Sequence, residues 1–447
     1  MQIFILFSFS VLLLQGIVFQ SGILPSLVAD ALAGAALLVM GGALLRYRRV
    51  DFPAKYILWG LVFSMLVVIG WIVNSESAGA AVTGLRFYFT GFIFFLLPLV
   101  YRFSQRELSH QLMFLLLVGM LQAPVTLLQR FVWYRNSGTG DVIVGTLGAH
   151  SSGALSTFLS IELAILVTFF VKRRIKLPMF LVGVALLFVP TTLNETKVML
   201  IYMPIIFLGP YVFSGAFAHN KGRLAVAAAG FGIAVAVFSV IYQYTMVDLY
   251  GRSGMDLSRF TTVDGVTKFV SSYLAPQTTA DEDDELGDGP KMVGRIDQIV
   301  IPLQRLARDP VTLLVGYGVG NVSKSPLDGF SGAWLDEAAR YTKGSSYLSK
   351  IIWEMGLLGV FLLASLLVFV YRDASYVARW QEGIIADFAL AWKTVMIVLV
   401  LGIFYKSILT HTAVAPVLWF YLGLIVSLRA RLESRRCYAE SGFALQN

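Results

Sequence analysis

The sequence is poor in cysteine and in charged residues. Its single cysteine, Cys437, can form neither an intramolecular disulfide nor a cysteine metal site. Charged residues make up 14% of the chain, whereas soluble domains contain about 25%. Long stretches without any charge, such as residues 57–73 and 112–128, are therefore typical of segments that cross a bilayer.

These apolar segments predict an all-α polytopic membrane protein. Each segment must satisfy its own backbone hydrogen bonds in lipid, so we expect helices. The segments do not alternate apolar and polar residues, as barrel strands would. The N-terminus lacks the marks of a cleaved signal peptide, so we expect the first span to be retained. About twelve spans are predicted, near residues 2–19, 22–45, 54–73, 83–101, 112–131, 153–171, 177–193, 197–215, 224–245, 345–370, 388–405 and 411–428.

Basic residues collect in alternate connections between the predicted spans. The rich set comprises Arg46, Arg48, Arg49, Lys55, Arg102, Arg106, Lys172, Arg173, Arg174, Lys176, Lys221, Arg223, Arg372, Arg379, Arg429, Arg431, Arg435 and Arg436. The short connections on the other side offer Arg135, Lys197 and Lys406. The positive-inside rule therefore predicts that both termini are cytoplasmic. Topology also accounts for the net charge of +8, so we expect no nucleic-acid partner.

One long polar segment interrupts the spans and is predicted to face away from the cytoplasm. The chain divides into residues 1–245 with nine spans, the loop 246–343, residues 344–428 with three spans, and the tail 429–447. The acidic run 281–285 predicts a solvated insert, and Leu286 stands where a calcium-binding EF-hand needs glycine. Residues 295–306 carry apolar side chains at helical spacing, which predicts an amphipathic helix, and Pro302 could kink it.

The second half of this loop combines arginines with glycines. Arg295 and Arg305 offer planar, permanently charged donors that suit phosphate. Gly316 and Gly318, followed by Asn321, would let the backbone approach an anion closely. These residues predict a pyrophosphate clamp. The alternative is a set of solvated arginines beside a flexible turn. No strand–helix unit follows the glycines, so a dinucleotide site is excluded.

Two further candidates lie near the outer ends of spans. Lys197 could reach a phosphate, while Glu195 could act as a base or orient Lys197; the alternative is a polar turn with an internal ion pair. Arg86 lies inside the fourth predicted span, where it either lines a substrate cavity or extends its charge to lipid headgroups.

The remaining candidates precede spans six and ten. Histidine is a common acid–base group, so His150 could perform acid–base chemistry, or it could belong to a polar turn that shapes a cavity. Ser345 and Ser346 could contact substrate, or they could cap the helix that follows them.

The order of these motifs resembles the bacterial O-antigen ligase and O-antigen polymerase superfamily. The shared features are about twelve spans, a large late loop, and a set of short motifs. The motifs are Gly145–Gly148, Gly294-Arg295, the spacing of Arg305 and Gly316, Gly318–Asn321, and Glu354–Gly359. Each motif is degenerate by itself, but their order and predicted side of the membrane agree over most of the chain.

The resemblance implies a glycosyltransferase of the bacterial inner membrane that uses no metal and no cofactor. Its donor would be an oligosaccharide on undecaprenyl pyrophosphate, its site would face the periplasm, and a chain-length regulator could be a partner. It further implies that Arg295, Arg305 and Lys197 hold the pyrophosphate and that Arg86 lines the cavity. The base would be Glu195 or His150. Transfer would invert the anomeric carbon.

Two departures favour a repeat-unit polymerase over a ligase. Ligases carry a histidine at the end of the large loop, where this chain has Gly344-Ser345-Ser346. They usually carry arginine in the mid-chain outer loop, where this chain has Lys197. A ligase that transfers glycan to lipid A–core remains an alternative. A flippase or transporter is a second alternative, although we find no related halves. A membrane sensor or scaffold is a third, but the acidic insert is poorly suited to build a folded core.

Overall fold

The computed structural model describes residues 1–18, 24–74, 77–137, 139–194, 196, 198–215, 221–242, 295–325, 330–341 and 346–444. Within these ranges the regular structure is helical, with no strand. The helices are α1 Gln2–Leu13, α2 Gln15–Val18, α3 Leu24–Tyr47, α4 Ala54–Val73, α5 Ala78–Val100, α6 Gln105–Leu128, α7 Ser152–Val171, α8 Leu177–Leu193, α9 Val198–Ser214, α10 Lys221–Tyr242, α11 Asp297–Leu306, α12 Pro310–Val315, α13 Leu335–Tyr341, α14 Tyr347–Trp380, α15 Gly383–Tyr405 and α16 Ala415–Ala444. A π-helical turn, Gln129–Trp133, extends α6.

Eight of the described helices are long and apolar enough to cross a membrane. Four shorter apolar helices, Gln2–Leu13, Leu177–Leu193, Val198–Ser214 and Leu224–Val240, lie at other predicted spans. The expectation of an all-α protein with several membrane-crossing helices is therefore confirmed at this level. The number twelve and the side on which the large loop lies remain predictions.

Helix α7 forms the centre of the bundle. All of its residues are buried, and it packs against α6, α8, α9 and α15. Helix α4 instead lies at the periphery and exposes large apolar side chains such as Leu58, Leu61 and Ile72. A helix that is buried on every side and another that is apolar on its exposed side are both expected when lipid surrounds the bundle.

Several helices extend beyond the predicted spans. The tenth span, predicted to end at residue 370, belongs to a helix that continues to Trp380, and the twelfth belongs to a helix that continues to Ala444. The spans are predicted from runs of apolar residues, so the polar extensions of these two helices were not predicted. The amphipathic helix is confirmed as α11, and Pro302 lies inside it without ending it. The acidic run 281–285 lies outside the described residues.

Helix α14 is broken at Gly356, whose φ of 57° is left-handed. The break releases the carbonyls of Trp353 and Glu354 from the helical hydrogen-bond pattern. The backbone N–H of Tyr317 donates to the first at 2.8 Å, and that of Gly318 donates to the second at 3.1 Å. A second segment of the chain therefore supplies the hydrogen bonds that the helix gives up.

This second segment, residues 316–323, is called the docked segment. It also lies against α5, because a Cβ built on Gly320 would fall 1.9 Å from the carbonyl oxygen of Ala80. The ring of Tyr317 stacks between Trp334, at a centroid distance of 4.4 Å, and Trp353, at 5.7 Å. The described half of the large loop is thus packed onto the bundle at one end of α5 and α14.

The opposite end of the bundle is fastened by ion pairs. Arg102 and Arg431 both bind the carboxylate of Asp51, at 3.0 and 2.9 Å. Burial opposes ionisation of Asp51, but the hydrogen bonds from the two arginines outweigh it and hold its pKa below the ordinary value. These bonds join the α3–α4 connection to the start of α6 and to α16.

We expect Asp51→Asn to lower stability by about 1–3 kcal/mol, because Arg431 loses the carboxylate that accepts its hydrogen bond. A lowered pKa means that this contribution is present above the ordinary pKa of 3.8 and is lost as pH falls through the folded-state value. Thermal unfolding in detergent at neutral and at acidic pH measures both effects. Glu382→Gln, at an exposed acid between α14 and α15, is the control. Equal melting of D51N and wild type at neutral pH would contradict the prediction.

We also expect Gly356→Ala to release the docked segment. A Cβ at this position would lie 2.6 Å from the carbonyl oxygen of Leu313, and the left-handed backbone alone costs about 1–3 kcal/mol for alanine. Limited trypsin digestion should then cleave faster at Arg305, Arg308 and Lys324. Gly41→Ala, which meets no atom within 4 Å, is the matched control. Unchanged cleavage of G356A would show that the break does not hold the segment.

Candidate functional site

Charged and polar side chains from three parts of the chain meet near the start of α7. We call Arg295, Lys406, His411, Ser151 and Asp141 the outer cluster. Arg295 precedes α11, while Lys406 and His411 lie in the connection between α15 and α16. Ser151 and Asp141 come from the polar turn before α7.

Arg295 is held against the end of α15. Its Nη1 donates to the carbonyl oxygen of Tyr405 at 3.1 Å, and its guanidinium lies 4.8 Å from the centre of the Tyr405 ring. The ring of Tyr405 also fits closely over α7, where a Cβ on Gly153 would fall 3.1 Å from it. The side chain of Arg295 is therefore placed by a backbone acceptor and an aromatic face.

Lys406 follows Tyr405 and packs beside Gly153. Burial lowers the pKa of Lys406, and the nearby charge of Arg295 lowers it further, while Asp141 acts in the opposite direction. Arg295 and Lys406 repel each other in a partly buried place, and together they raise the local positive potential. Such a place is suited to an anion, which would relieve the repulsion.

His411 is half-buried near Lys406, and we expect it to be neutral at physiological pH. Burial, together with the charge of Lys406, lowers its pKa to about 4. Its Nδ1 accepts from the backbone N–H of Ala413 at 3.3 Å, so Nε2 carries the hydrogen and donates to Ser151 Oγ at 3.0 Å. A histidine that donates to the serine and binds protons weakly does not activate that serine, so the pair is unlike a serine-hydrolase site.

The start of α7 is tied to the end of α8 through Asn194. The amide nitrogen of Asn194 donates to the carbonyl oxygen of Ser152 and to Ser156 Oγ, both at 2.9 Å. Its amide oxygen accepts from the backbone N–H of Thr196 at 3.2 Å. Two predicted site residues, Glu195 and Lys197, lie outside the described residues. Their assignment as base and phosphate ligand therefore remains a prediction.

The structure does not bring Arg305 to the outer cluster. Ten residues separate it from Arg295 along a mostly helical stretch, which corresponds to about 15 Å. Its Nη1 lies 3.3 Å from Glu337 Oε1 on α13. The predicted clamp of two arginines is thus divided, with Arg295 in the outer cluster and Arg305 paired within the loop.

Arg86 is paired inside the bundle. Its Nε donates to Asp30 Oδ2 at 2.7 Å, and Thr90 donates to the other oxygen of Asp30 at 3.0 Å. A small cavity of about 30 Å³ lies between this pair and His411. Arg86 therefore borders the outer cluster, but Asp30 already balances its charge.

The predicted loop and serine residues make contacts that hold the fold together. Gly316 and Gly318 belong to the docked segment. Asn321 Nδ2 donates to the carbonyl oxygen of Tyr317 at 2.6 Å, and its Oδ1 accepts from the backbone N–H of Ala333 at 3.2 Å. Ser346 caps α14 by accepting from the N–H of Ser349 at 3.0 Å. Ser345 lies outside the described residues.

Glu354, in the motif that supports the family resemblance, is also bound internally. It is buried, and its carboxylate accepts from Tyr88 at 2.7 Å and from Ser323 at 2.6 Å. His150 differs from the other candidates because its side chain is exposed and its φ of 60° is left-handed. It immediately precedes Ser151, so it lies at the rim of the outer cluster.

An aromatic cleft lies between α4, α5 and α16 and extends from Phe52 to Trp419. It has a volume of about 300 Å³ and is lined by Trp59, Phe63, Tyr88, Phe92 and Trp419, among others. Trp419 connects the cleft to the α15–α16 connection, because its indole N–H donates to the carbonyl oxygen of Leu409 at 3.1 Å. Lys406 and His411 are on that same connection.

Sequence reasoning missed several residues of the site. Lys406 was identified only as an outer charge, and His411 and Asp30 were not considered. Asp30 could have been found, since an acid inside a predicted span needs a partner and Arg86 offers one. Glu162 was also missed; it is buried in α7, and neither carboxylate oxygen bonds to a described residue. It lies ten residues beyond Ser152, about 15 Å along the helix, and so outside the outer cluster.

We expect binding of inorganic pyrophosphate to weaken as pH rises toward the lowered pKa of Lys406. A depressed pKa means that this lysine loses its charge at a lower pH than the ordinary 10.5, whereas Arg295 stays charged. Calorimetric titration of the purified protein between pH 7 and pH 10 would measure this loss. Lys406→Arg should remove most of the pH dependence. A wild-type affinity that is flat over this range would contradict the role of Lys406.

No protein-family model matches the chain, and no curated protein matches it. Its function must therefore be inferred from its own side chains. In the outer cluster, three separate segments of the chain bring Arg295 and Lys406 close to a buried serine and a histidine. That combination is the candidate functional site.

Proposed function

We propose that the protein is a polysaccharide repeat-unit polymerase. It would transfer a glycan from undecaprenyl pyrophosphate to a hydroxyl of another lipid-linked repeat, on the periplasmic face of the bacterial inner membrane. The observation that carries the proposal is the pair of cations Arg295 and Lys406 in the outer cluster. The order of sequence motifs that resembles the O-antigen polymerases supports the same reaction.

The chemical requirement of this reaction is to stabilise a departing diphosphate. The acceptor oxygen forms a bond to the anomeric carbon and loses its proton. The bond between that carbon and the diphosphate oxygen breaks, and its electrons remain on the diphosphate. Attack from the face opposite the leaving group inverts the carbon. Cations that are already in position stabilise the developing charge without reorganisation, which is the role we give Arg295 and Lys406.

The aromatic cleft supports a donor with a long apolar tail. Its walls are rings and aliphatic side chains, and they include Trp419, whose indole N–H donates to Leu409 in the connection between α15 and α16. A polyprenyl chain in this cleft would place its diphosphate toward the α15–α16 connection. The acceptor would then approach through the polar turn before α7.

The proton of the acceptor needs a base, and His150 and Glu195 are the candidates. His411 has a pKa of about 4, and its Nε2 donates to Ser151, so it is a poor base at neutral pH. His150 is exposed at the rim, whereas Glu195 lies outside the described residues. Both remain candidates. We give His411 the role of holding Ser151 and the turn before α7 in place.

We expect Arg295→Ala and Lys406→Ala each to lower the polymerisation rate about 100-fold, the usual effect of removing one donor that stabilises developing charge. The assay uses purified protein in proteoliposomes with repeats linked to undecaprenyl pyrophosphate. It measures both chain length and released undecaprenyl pyrophosphate. Arg308→Ala, at an exposed arginine of the same loop, is the matched control. Full polymer length with either cluster variant would contradict the proposed site.

The same assay separates the alternative functions. A ligase would leave repeats unpolymerised but would transfer glycan when lipid A–core is supplied. A flippase would move the lipid-linked sugar across the vesicle membrane without releasing undecaprenyl pyrophosphate. Either outcome would replace the polymerase proposal.

A further inference from the structure

A second basic site lies at the other end of the bundle, the end that carries most of the arginine and lysine. It is a pocket of about 410 Å³ bordered by Lys172, Arg379 and Lys393, with Phe213 and Leu390 in its wall. Lys172 follows α7, Phe213 is on α9, Arg379 is on α14, and Lys393 is on α15. We call it the inner pocket.

The three cations of the inner pocket are not matched by acids. No acidic residue is among the described residues that line it. The nearby carboxylates on α14 and α15 bind other partners: Asp373 binds Lys55 at 2.6 Å, and Asp387 binds Arg174 at 2.6 Å. Glu382, in the turn between these helices, is exposed and does not line the pocket. The pocket therefore holds an excess of positive charge.

Lys393 has the position of a lysine that reaches toward lipid headgroups. It lies ten residues inside α15, about 15 Å from its first residue, on a stretch of apolar residues that is predicted to enter the membrane near residue 388. Its Nζ lies 4.5 Å from the centre of the Phe213 ring and 5.8 Å from that of Tyr371. Aromatic faces stabilise a cation only partly, so a full negative charge would still be favourable here.

We infer that the inner pocket binds the phosphate headgroup of an anionic phospholipid. Basic pockets between membrane helices on the cytoplasmic side have the chemistry that recognises such headgroups. Lys393 can extend its side chain toward the level of the headgroups, where lipid phosphates lie. The apolar part of the wall, with Phe213 and Leu390, would contact the acyl chains. Three cations match a lipid with two phosphates, such as cardiolipin, better than a lipid with one.

The test uses the full-length protein, purified in detergent with equal amounts of cardiolipin and phosphatidylcholine, and native mass spectrometry of the retained lipid. Wild type should retain cardiolipin over phosphatidylcholine. Lys172→Ala/Arg379→Ala changes two residues at helix ends and should weaken cardiolipin binding roughly 30-fold, the factor expected for two lost cation contacts. Lys393→Met, which keeps the side-chain length, should weaken it about fivefold by the same estimate.

Arg372→Ala is the matched control, since Arg372 is exposed on α14 and does not line the pocket. It should retain cardiolipin as wild type does. The inference is overturned if the double variant binds as much cardiolipin as the control, or if wild type retains phosphatidylcholine equally. It is also overturned if millimolar inorganic phosphate displaces the lipid completely, because the pocket would then serve a soluble anion.

Discussion

The break in α14 at Gly356 is the feature on which the site depends. A helix in an apolar environment cannot leave carbonyls without donors, since each one costs several kcal/mol. The carbonyls of Trp353 and Glu354 are satisfied by the amides of Tyr317 and Gly318. The break and the docked segment therefore require each other. Glu354 strengthens the junction by accepting from Tyr88 on α5 and from Ser323 in the loop.

The docked segment in turn positions the rest of the loop. It follows α12, and α11 and α12 both pack on α14. The start of α11 then lies where Arg295 can donate to the carbonyl of Tyr405. The hydrogen bonds between the docked segment and the break in α14 therefore help to position Arg295 at the end of α15. Lys406 directly follows Tyr405, so the end of α15 positions it without help from the loop.

The sequence could predict the helices but could not assign the partners of its charged residues. The apolar runs locate the helices because lipid favours long uninterrupted runs, and the spacing of Ile296, Ile299 and Leu303 identifies α11. The sequence predicts that Gly316 and Gly318 approach a phosphate, and this stays a prediction. In the structure the neighbouring Gly320 allows the backbone to approach α5, a contact between residues over two hundred positions apart that no local pattern encodes. The sequence alone could not show that Arg305 and Arg295 have different surroundings, because it does not reveal that Glu337 lies beside Arg305.

Ion pairs with acids hold several cations of the bundle in place. At the end of the bundle that carries Asp51, Arg431 and Lys55 have acids within hydrogen-bonding distance, and Arg86 has Asp30. These charges are already balanced, so an incoming anion would have to compete with a bound carboxylate. Burial and the charge of Arg295 lower the pKa of Lys406, although Asp141 acts in the opposite direction. An anion at that position would gain attraction from both cations and remove their mutual repulsion. For this reason we place the diphosphate of the proposed donor in the outer cluster, rather than at Arg86 or Arg305.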